Sequence, residues 1–323
     1  MRVLVTGANG FVGRYLCMAL KARGHTVVRA GHTQAPIDDD LLALDLRDLK
    51  NIAGIVNAAK PDAIAHLAAQ AFVPASLADP LDTYATNAGG TARLLEAVRA
   101  ADVARGTSMR VLVVGSADVY GSQPPSAYPL TEQCAPNPTN PYAASKVAGE
   151  AYALAAAQSY GTEVVMTRAF NHIGPGQDER FVVASFALQI ARIAAGDKPL
   201  LQVGNLDAQR DFLDVRDVAA AYVLLLEKRG DAGAIYNISS GRAVPIREVL
   251  RRLITISRVA VEIHDDPDLM RPSDIALSLG SAAKLQAATG WAPTYTLDAS
   301  LCDIYADARE RVAAASGANI AGR

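Results

Sequence analysis

Three cysteines in 323 residues, Cys17, Cys134 and Cys302, are too few for a disulfide framework and show no metal-ligand spacing. Neither a secreted cystine scaffold nor a metal site is expected, and all three should be reduced thiols. Long apolar runs are missing too. None approaches the roughly 20 residues that a bilayer-spanning helix needs, and the chain enters its first strand at Arg2 without a charged leader. A cytoplasmic protein with no membrane partner is expected. Charge of one sign is also lacking: 31 basic against 33 acidic residues give a net charge of −2. That balance leaves no broad field to attract nucleic acid or anionic lipid. No internal repeat or low-complexity linker interrupts the chain.

What the chain does have is apolar material, half of its residues, enough for one large domain or two unequal ones. Val3-Leu4-Val5-Thr6 is a short apolar run; glycines follow at 7, 10 and 13, then a helical pattern through Tyr15, Leu16, Met18, Ala19 and Leu20 that stops at Gly24. This reads as strand, turn and helix. Further strands are predicted at Thr26 to Arg29, Leu42 to Leu44, Ala63 to Leu67, Arg110 to Val114 and Val164 to Thr167, with helices between them. Alternating strands and helices imply an α/β fold with a doubly wound parallel sheet. Runs such as Val111-Leu112-Val113-Val114 lack period-two alternation, as strands covered on both faces do. Beyond Asn171 the rhythm becomes irregular, with a helix from about Phe181 to Ala195 and a strand and helix between Arg210 and Glu227. Ile235-Tyr236-Asn237-Ile238 returns a strand either to the large sheet or to a small second one. The last residues, Ala313 to Arg323, are small and polar enough to fray.

The turn from Gly7 through Asn9, Gly10, Phe11 and Val12 to Gly13 lies between a strand and a helix, the context in which glycines let a backbone approach a pyrophosphate held by the helix N-terminus. Its spacing, with two residues between successive glycines, departs from the tighter G-x-G-x-x-G form. At the end of the second strand an NAD-preferring protein usually places an acid against the ribose. Here Arg29, Ala30, Gly31 and His32 offer no carboxylate, so a 2′-phosphate is tolerated and NADPH is favoured, with NADH as the second choice. The plain alternative is that Arg29 and His32 are surface side chains. Asp45, beside Leu46, can accept from an adenine amino group, and Leu67, Ala68 and Ala69 line the nicotinamide side.

Tyr142 and Lys146 lie four apart in Pro141-Tyr142-Ala143-Ala144-Ser145-Lys146, on one face of a predicted helix. An ammonium there is expected to lower the phenol's pKa and fit it for acid or base work near neutrality. Ser116 ends a predicted strand, at the carboxyl edge where open parallel sheets bind ligands, and can hydrogen-bond a substrate carbonyl.

Gly7 to Gly13, Ser116 with Val119-Tyr120-Gly121, and Tyr142 to Lys146 together resemble the extended short-chain dehydrogenase/reductase family, over nearly the whole chain its nucleotide-sugar branch. The resemblance implies a Rossmann sheet over 1–170, with a return near 211–240, and a smaller C-terminal α/β substrate lobe from 171–210 and 241–315. It implies Tyr142 as acid/base, Lys146 on the nicotinamide ribose and Ser116 orienting the reacting oxygen. Asn87, in Thr86-Asn87-Ala88-Gly89-Gly90-Thr91, matches an asparagine that supports the active site, a helix cap being the alternative. The stretches Arg168 to Gln177, Val203 to Phe212 and Met270 to Asp274 are most similar to members that reduce GDP-4-keto-6-deoxy-D-mannose at C4. In them residues matching Asn171, Arg210 and Arg271 hold the GDP-sugar, and arginines suit a diphosphate because the guanidinium makes paired, charge-assisted bonds. For Arg271 a salt bridge within the small lobe is the ordinary alternative. Asp118, on the substrate side, stands where dehydratases of the same fold carry a glutamate, so a dehydratase or epimerase is the rival reading and a non-catalytic nucleotide sensor a more distant one. His172 is expected to be structural. A homodimer is implied through helices that include the one carrying Tyr142.

Overall fold

A computed structural model of the chain describes residues 1–32, 40–227, 231–269 and 275–321. The first half alternates as expected: β1 (Arg2–Thr6), α1 (Phe11–Ala22), β2 (Thr26–Gly31), β3 (Leu41–Ala43), α2 (Leu49–Ala59), β4 (Ala63–His66), α3 (Val73–Ala78), α4 (Pro80–Arg105), β5 (Arg110–Ser116), α5 (Pro141–Tyr160) and β6 (Val164–Ala169). Then come β7 (Asn171–Ile173), α6 (Val182–Ala194), β8 (Leu200–Val203), β9 (Gln209–Asp214), α7 (Val215–Glu227) and β10 (Ile235–Ile238). The chain ends with β11 (Ala243–Pro245), α8 (Ile246–Ser257), β12 (Glu262–Asp265), β13 (Leu277–Ser278), α9 (Ala283–Thr289) and α10 (Leu297–Ala321).

Seven strands form one sheet in the order β10-β6-β5-β4-β1-β2-β3, every pair parallel. The order reverses between β1 and β4, the switch point beside which such sheets bind ligands. The apolar runs lack alternation because both faces are covered. Val3, Val5 and Leu112 pack with Leu16 and Leu20 of α1 and Tyr222 of α7, while Leu4, Ile64, Val111 and Val113 pack with Ile52, Leu94 and Val98 of α2 and α4. The uncertain strand Ile235–Ile238 joins this sheet beside β6. A second sheet runs β11-β9-β13 with β7 also on β9, and β8 pairs with β12. Their shared core gathers Phe186 of α6, Leu201 of β8, Val249 and Leu253 of α8, and Leu301 and Tyr305 of α10. Helix α10 runs to Ala321. Among the described residues no helix is long and apolar enough to cross a membrane.

Candidate active site

The glycine turn after β1 is closed by backbone contact. Gly7 has φ +70°, a left-handed conformation, and a Cβ there would stand 2.8 Å from the Ala68 nitrogen; a Cβ on Gly13 would stand 2.1 Å from the Gly7 oxygen. Exposed Gly10 precedes α1 with no side-chain cap, so the helix's opening N–H groups face the turn. Phe11 and Val12 are half-buried in the first turn of α1, and the Phe11 ring stacks on His172 with centroids 6.2 Å apart. Asn9 braces the end of β2 by donating to the His32 carbonyl at 3.2 Å. Arg29 is half-buried within β2 and His32 is exposed just past its end. The Asp45 carboxylate accepts the Arg47 N–H at 2.9 Å, and buried Leu46 packs on Gly90 of α4. Half-buried Leu67 and Ala69 flank Ala68, whose N–H donates to Thr6 Oγ1 at 3.2 Å. A cradle in which added carbons would strike backbone, at a free helix N-terminus, fits a dinucleotide.

Helix α5 starts sharply because the Asn140 side chain accepts the Ala143 N–H at 2.8 Å and Pro141 occupies the first turn; Gly161, left-handed at φ 67°, ends it. That start sets Tyr142 and Lys146 against the end of β5. Ser116 closes β5, its Oγ accepting the Asp118 N–H at 3.2 Å as a short 3-10 turn over Ala117–Tyr120 begins. Tyr142, 8% exposed, has its phenol beside the Ser116 side chain. Lys146 Nζ lies 6.0 Å from the centre of the Tyr142 ring and donates to the Val114 carbonyl at 2.9 Å. The structure therefore brings Ser116, Tyr142 and Lys146 together.

The electrostatics correct one expectation. Instead of being lowered by Lys146, the Tyr142 pKa is raised, chiefly by burial and further by the negative charge of Asp118, with the Ser116 bond pulling the other way. Lys146 is itself pushed down to about 8 by burial. Helix spacing foretold the proximity of the two groups but not the desolvation that outweighs it.

Asn87 is no helix cap: it sits well inside α4. Its amide grips both backbone groups of Gln70, accepting from N–H at 2.8 Å and donating to O at 2.9 Å, and donates to Ser145 Oγ at 3.0 Å. The Ser145 hydroxyl in turn donates to the Tyr142 carbonyl at 2.7 Å. A small cavity of about 10 Å³ lies beside this chain, lined by Asn87, Thr91, Ser145, Lys146 and Glu150 together with the apolar Val113 and Met166.

On the side of the second sheet, Asn171 is exposed on β7, and His172 Nδ1 donates to the Phe170 carbonyl at 3.1 Å while burial lowers its pKa, the structural place expected. Arg210 Nη1 donates to the Ile275 and Gln209 carbonyls at 2.5 and 3.0 Å. Arg271 lies outside the described residues.

Two features escaped the sequence reading. Phe72, after β4, meets the Phe181 ring edge-on at 6.1 Å and the Arg180 guanidinium at 4.9 Å, joining the β4 side to the start of α6. A cleft of about 690 Å³ between α6 and β8 is lined by Ser185, Gln189, Arg192, Lys198, Gln202 and Asp266. Neither has a short-range motif: single aromatics and surface polar residues carry no spacing signal.

A protein-family profile described as GDP-mannose 4,6 dehydratase matches residues 4–304. The chain is 42% identical over 315 residues to GDP-6-deoxy-D-mannose reductase of Pseudomonas aeruginosa, covering 96% of this chain and 98% of that one. It is 30% identical to GDP-mannose 4,6 dehydratase 1 of Arabidopsis thaliana, over 90% and 84% of the two chains. The fold superposes on the structure of RMD from Pseudomonas aeruginosa complexed with NADPH with a TM-score of 0.84 at 40% identity, covering 96% of this chain and all of that one. It superposes equally on UDP-glucose 4-epimerase of Thermus thermophilus complexed with NAD, TM-score 0.84 at 32% identity over 96% and 99% of the chains. With the Gly7 turn, Ser116, Tyr142 and Lys146 on one such sheet, the chain belongs to the GDP-mannose 4,6 dehydratase family, within the nucleotide-sugar branch of the extended short-chain dehydrogenases/reductases.

Proposed function

We propose that this protein is an oxidoreductase that reduces the C4 ketone of GDP-4-keto-6-deoxy-D-mannose with NADPH, giving GDP-D-rhamnose or its C4 epimer GDP-6-deoxy-D-talose. The observation that carries the reading is the Ser116–Tyr142–Lys146 cluster at the carboxyl edge of β5, in a chain 42% identical to a GDP-6-deoxy-D-mannose reductase over almost its full length.

When bound, NADPH supplies the hydride for C4. Tyr142 gives its proton to the oxygen at C4; its raised pKa keeps that proton in place at neutral and mildly alkaline pH. Ser116, beside Tyr142, orients the same oxygen. Lys146 brings positive charge to the nicotinamide ribose side and stabilises negative charge as it develops. Gly7, Asn9, Gly10, Phe11, Val12 and Gly13 shape the pyrophosphate cradle, with Asp45 and Leu46 at the adenine and Leu67, Ala68 and Ala69 at the nicotinamide. Arg29 and His32 take the 2′-phosphate. Asn171, Arg210 and Arg271 hold the sugar diphosphate beside Asp118, and the cleft at Arg192 and Lys198, whose polar side chains can hydrogen-bond a base, takes the base end.

The division proposed is a dinucleotide-binding domain over 1–170 with the return near 211–240, and a nucleotide-sugar lobe from 171–210 and 241–315. The assembly proposed is a cytoplasmic homodimer joined through α4 and α5, which expose Leu81, Tyr84, Tyr152 and Tyr160. The second reading is a 4,6-dehydratase, favoured by the acid at Asp118. Two assays separate them: oxidation of NADPH with a panel of 4-keto nucleotide sugars, and GDP-mannose without added NADPH. Turnover in the first supports reduction; a 4-keto sugar formed in the second supports dehydration and overturns it.

A further inference from the structure

His66, the last residue of β4, is 4% exposed in an otherwise apolar strand, and the reaction proposed above gives it no part. Its ring joins two regions that the site needs in register. Nδ1 lies 2.9 Å from Thr6 Oγ1, immediately before the glycine turn, and Nε2 lies 3.3 Å from Thr91 Oγ1 on α4.

The proton positions follow from the neighbours. The Thr91 hydroxyl has one proton and donates it to the Asn87 carbonyl at 2.7 Å, so toward His66 it can only accept. Nε2 therefore carries the ring proton and Nδ1 accepts from the Thr6 hydroxyl. Thr6 Oγ1 is then left to accept the Ala68 N–H at 3.2 Å. The result is one directed chain, Ala68 to Thr6 to His66 to Thr91 to the Asn87 carbonyl, that closes only with a neutral imidazole. Burial, reinforced by the charge of Lys146, pushes the His66 pKa down to about 3 and keeps it neutral.

The two ends of this chain hold one loop. Ala68 is fixed through Thr6 and His66, and Gln70 is fixed at both backbone groups by Asn87, which also holds Ser145 behind Tyr142. The Leu67–Ala68 backbone at the start of that loop lies directly on Gly7.

We propose that His66 is a positioning residue: through Thr6 and Thr91 it sets the loop at Ala68 relative to α5, and so the place of the nicotinamide relative to Tyr142. This rests on the reading that Leu67 to Ala69 line the nicotinamide. A ring displaced by a fraction of an ångström transfers hydride more slowly without losing the sugar.

The test compares the full-length parent with His66→Phe, His66→Asn, Thr91→Val and the His66→Asn/Thr91→Val double variant. With NADPH alone, the fluorescence lifetime of the bound reduced nicotinamide reports how firmly the ring is held. With the 4-keto sugar, kcat and the isotope effect on 4-deuterated NADPH report hydride transfer. His66→Phe is expected to shorten the lifetime, lower kcat by about tenfold or more and raise the isotope effect, with KM for the sugar within about twofold. His66→Asn keeps an acceptor for Thr6 and loses Thr91, so it and Thr91→Val should each cost the same, about threefold to fivefold in kcat, and the double variant no more. Folded variants with the parent's lifetime, kcat and isotope effect, or a double variant whose losses multiply, would overturn the proposal and leave His66 a packing residue. If the parent fails to oxidise NADPH with any of the 4-keto sugars, the reduction reading fails, and the lifetimes still decide the positioning.

Discussion

The polar side chains around Tyr142 are buried and bonded to one another, whereas those lining the cleft at Arg192 and Lys198 stand largely in solvent. Tyr142, Ser145, Asn87 and His66 are each under 9% exposed, while the Arg192 side chain is 49% exposed and pairs with an equally exposed Glu179 at 3.1 Å. A buried network has one arrangement, because every unmet partner costs desolvation energy. An exposed set can rearrange around a ligand at small cost. The difference separates a centre where geometry controls rate from a surface where contacts control affinity.

Four variants test that contrast, taken from the largest effect down. Tyr142→Phe keeps the ring and removes the proton; it should lower kcat by about 10²–10⁴-fold while leaving NADPH affinity unchanged, read by steady-state kinetics and cofactor titration. Arg168→Met breaks a buried ion pair behind the same network, where Arg168 Nε donates to Glu150 at 2.9 Å and the guanidinium lies 4.7 Å from the Tyr120 ring centre. Leaving Glu150 unpaired should cost about 3–5 kcal/mol in denaturant unfolding. On the cleft side, Arg192→Ala with Lys198→Ala should raise KM for the GDP-sugar about tenfold with kcat nearly unchanged, the mark of uniform binding. A fall in kcat instead would erase the contrast drawn here. Smallest, Arg29→Ala with His32→Ala should weaken NADPH about tenfold and NADH hardly at all, since only a 2′-phosphate needs the cations; equal losses would return both to the surface.

Lys146 sharpens the comparison through pH. Its pKa in the folded chain, about 8, lies below the ordinary 10.5, so protonation favours the unfolded chain. The cost is present in full below pH 8 and vanishes as pH rises through 10.5. Lys146→Met should therefore be more stable than the parent at pH 7, with the gap closing over that window in thermal unfolding. The parent's kcat/KM should fall with a midpoint near pH 8 as the cation is lost, and Lys146→Arg should move that limb upward.

The same contrast governs what could be read beforehand. Gly7 to Gly13, the apolar strands and the Tyr142–Lys146 spacing are local patterns, and each marked a real element in nearly the right place. Strand β10 was ambiguous because a four-residue strand does not name its partner; only pairing with β6 decides it. The Tyr142 pKa shift went the other way because burial is a tertiary property that a helix face does not display. Phe72 and Phe181 meet across the fold, and the cleft residues are ordinary surface side chains in sequence. Arg271, legible as a motif, lies outside the described residues.

The most direct measurement follows one hydrogen. With GDP-4-keto-6-deoxy-D-mannose and NADPH deuterated at the transferred position, NMR of the product should show deuterium at C4 of a GDP-6-deoxyhexose, one label for each NADPH oxidised. Deuterium absent from C4, or NADPH left intact while the sugar changes, would contradict the account.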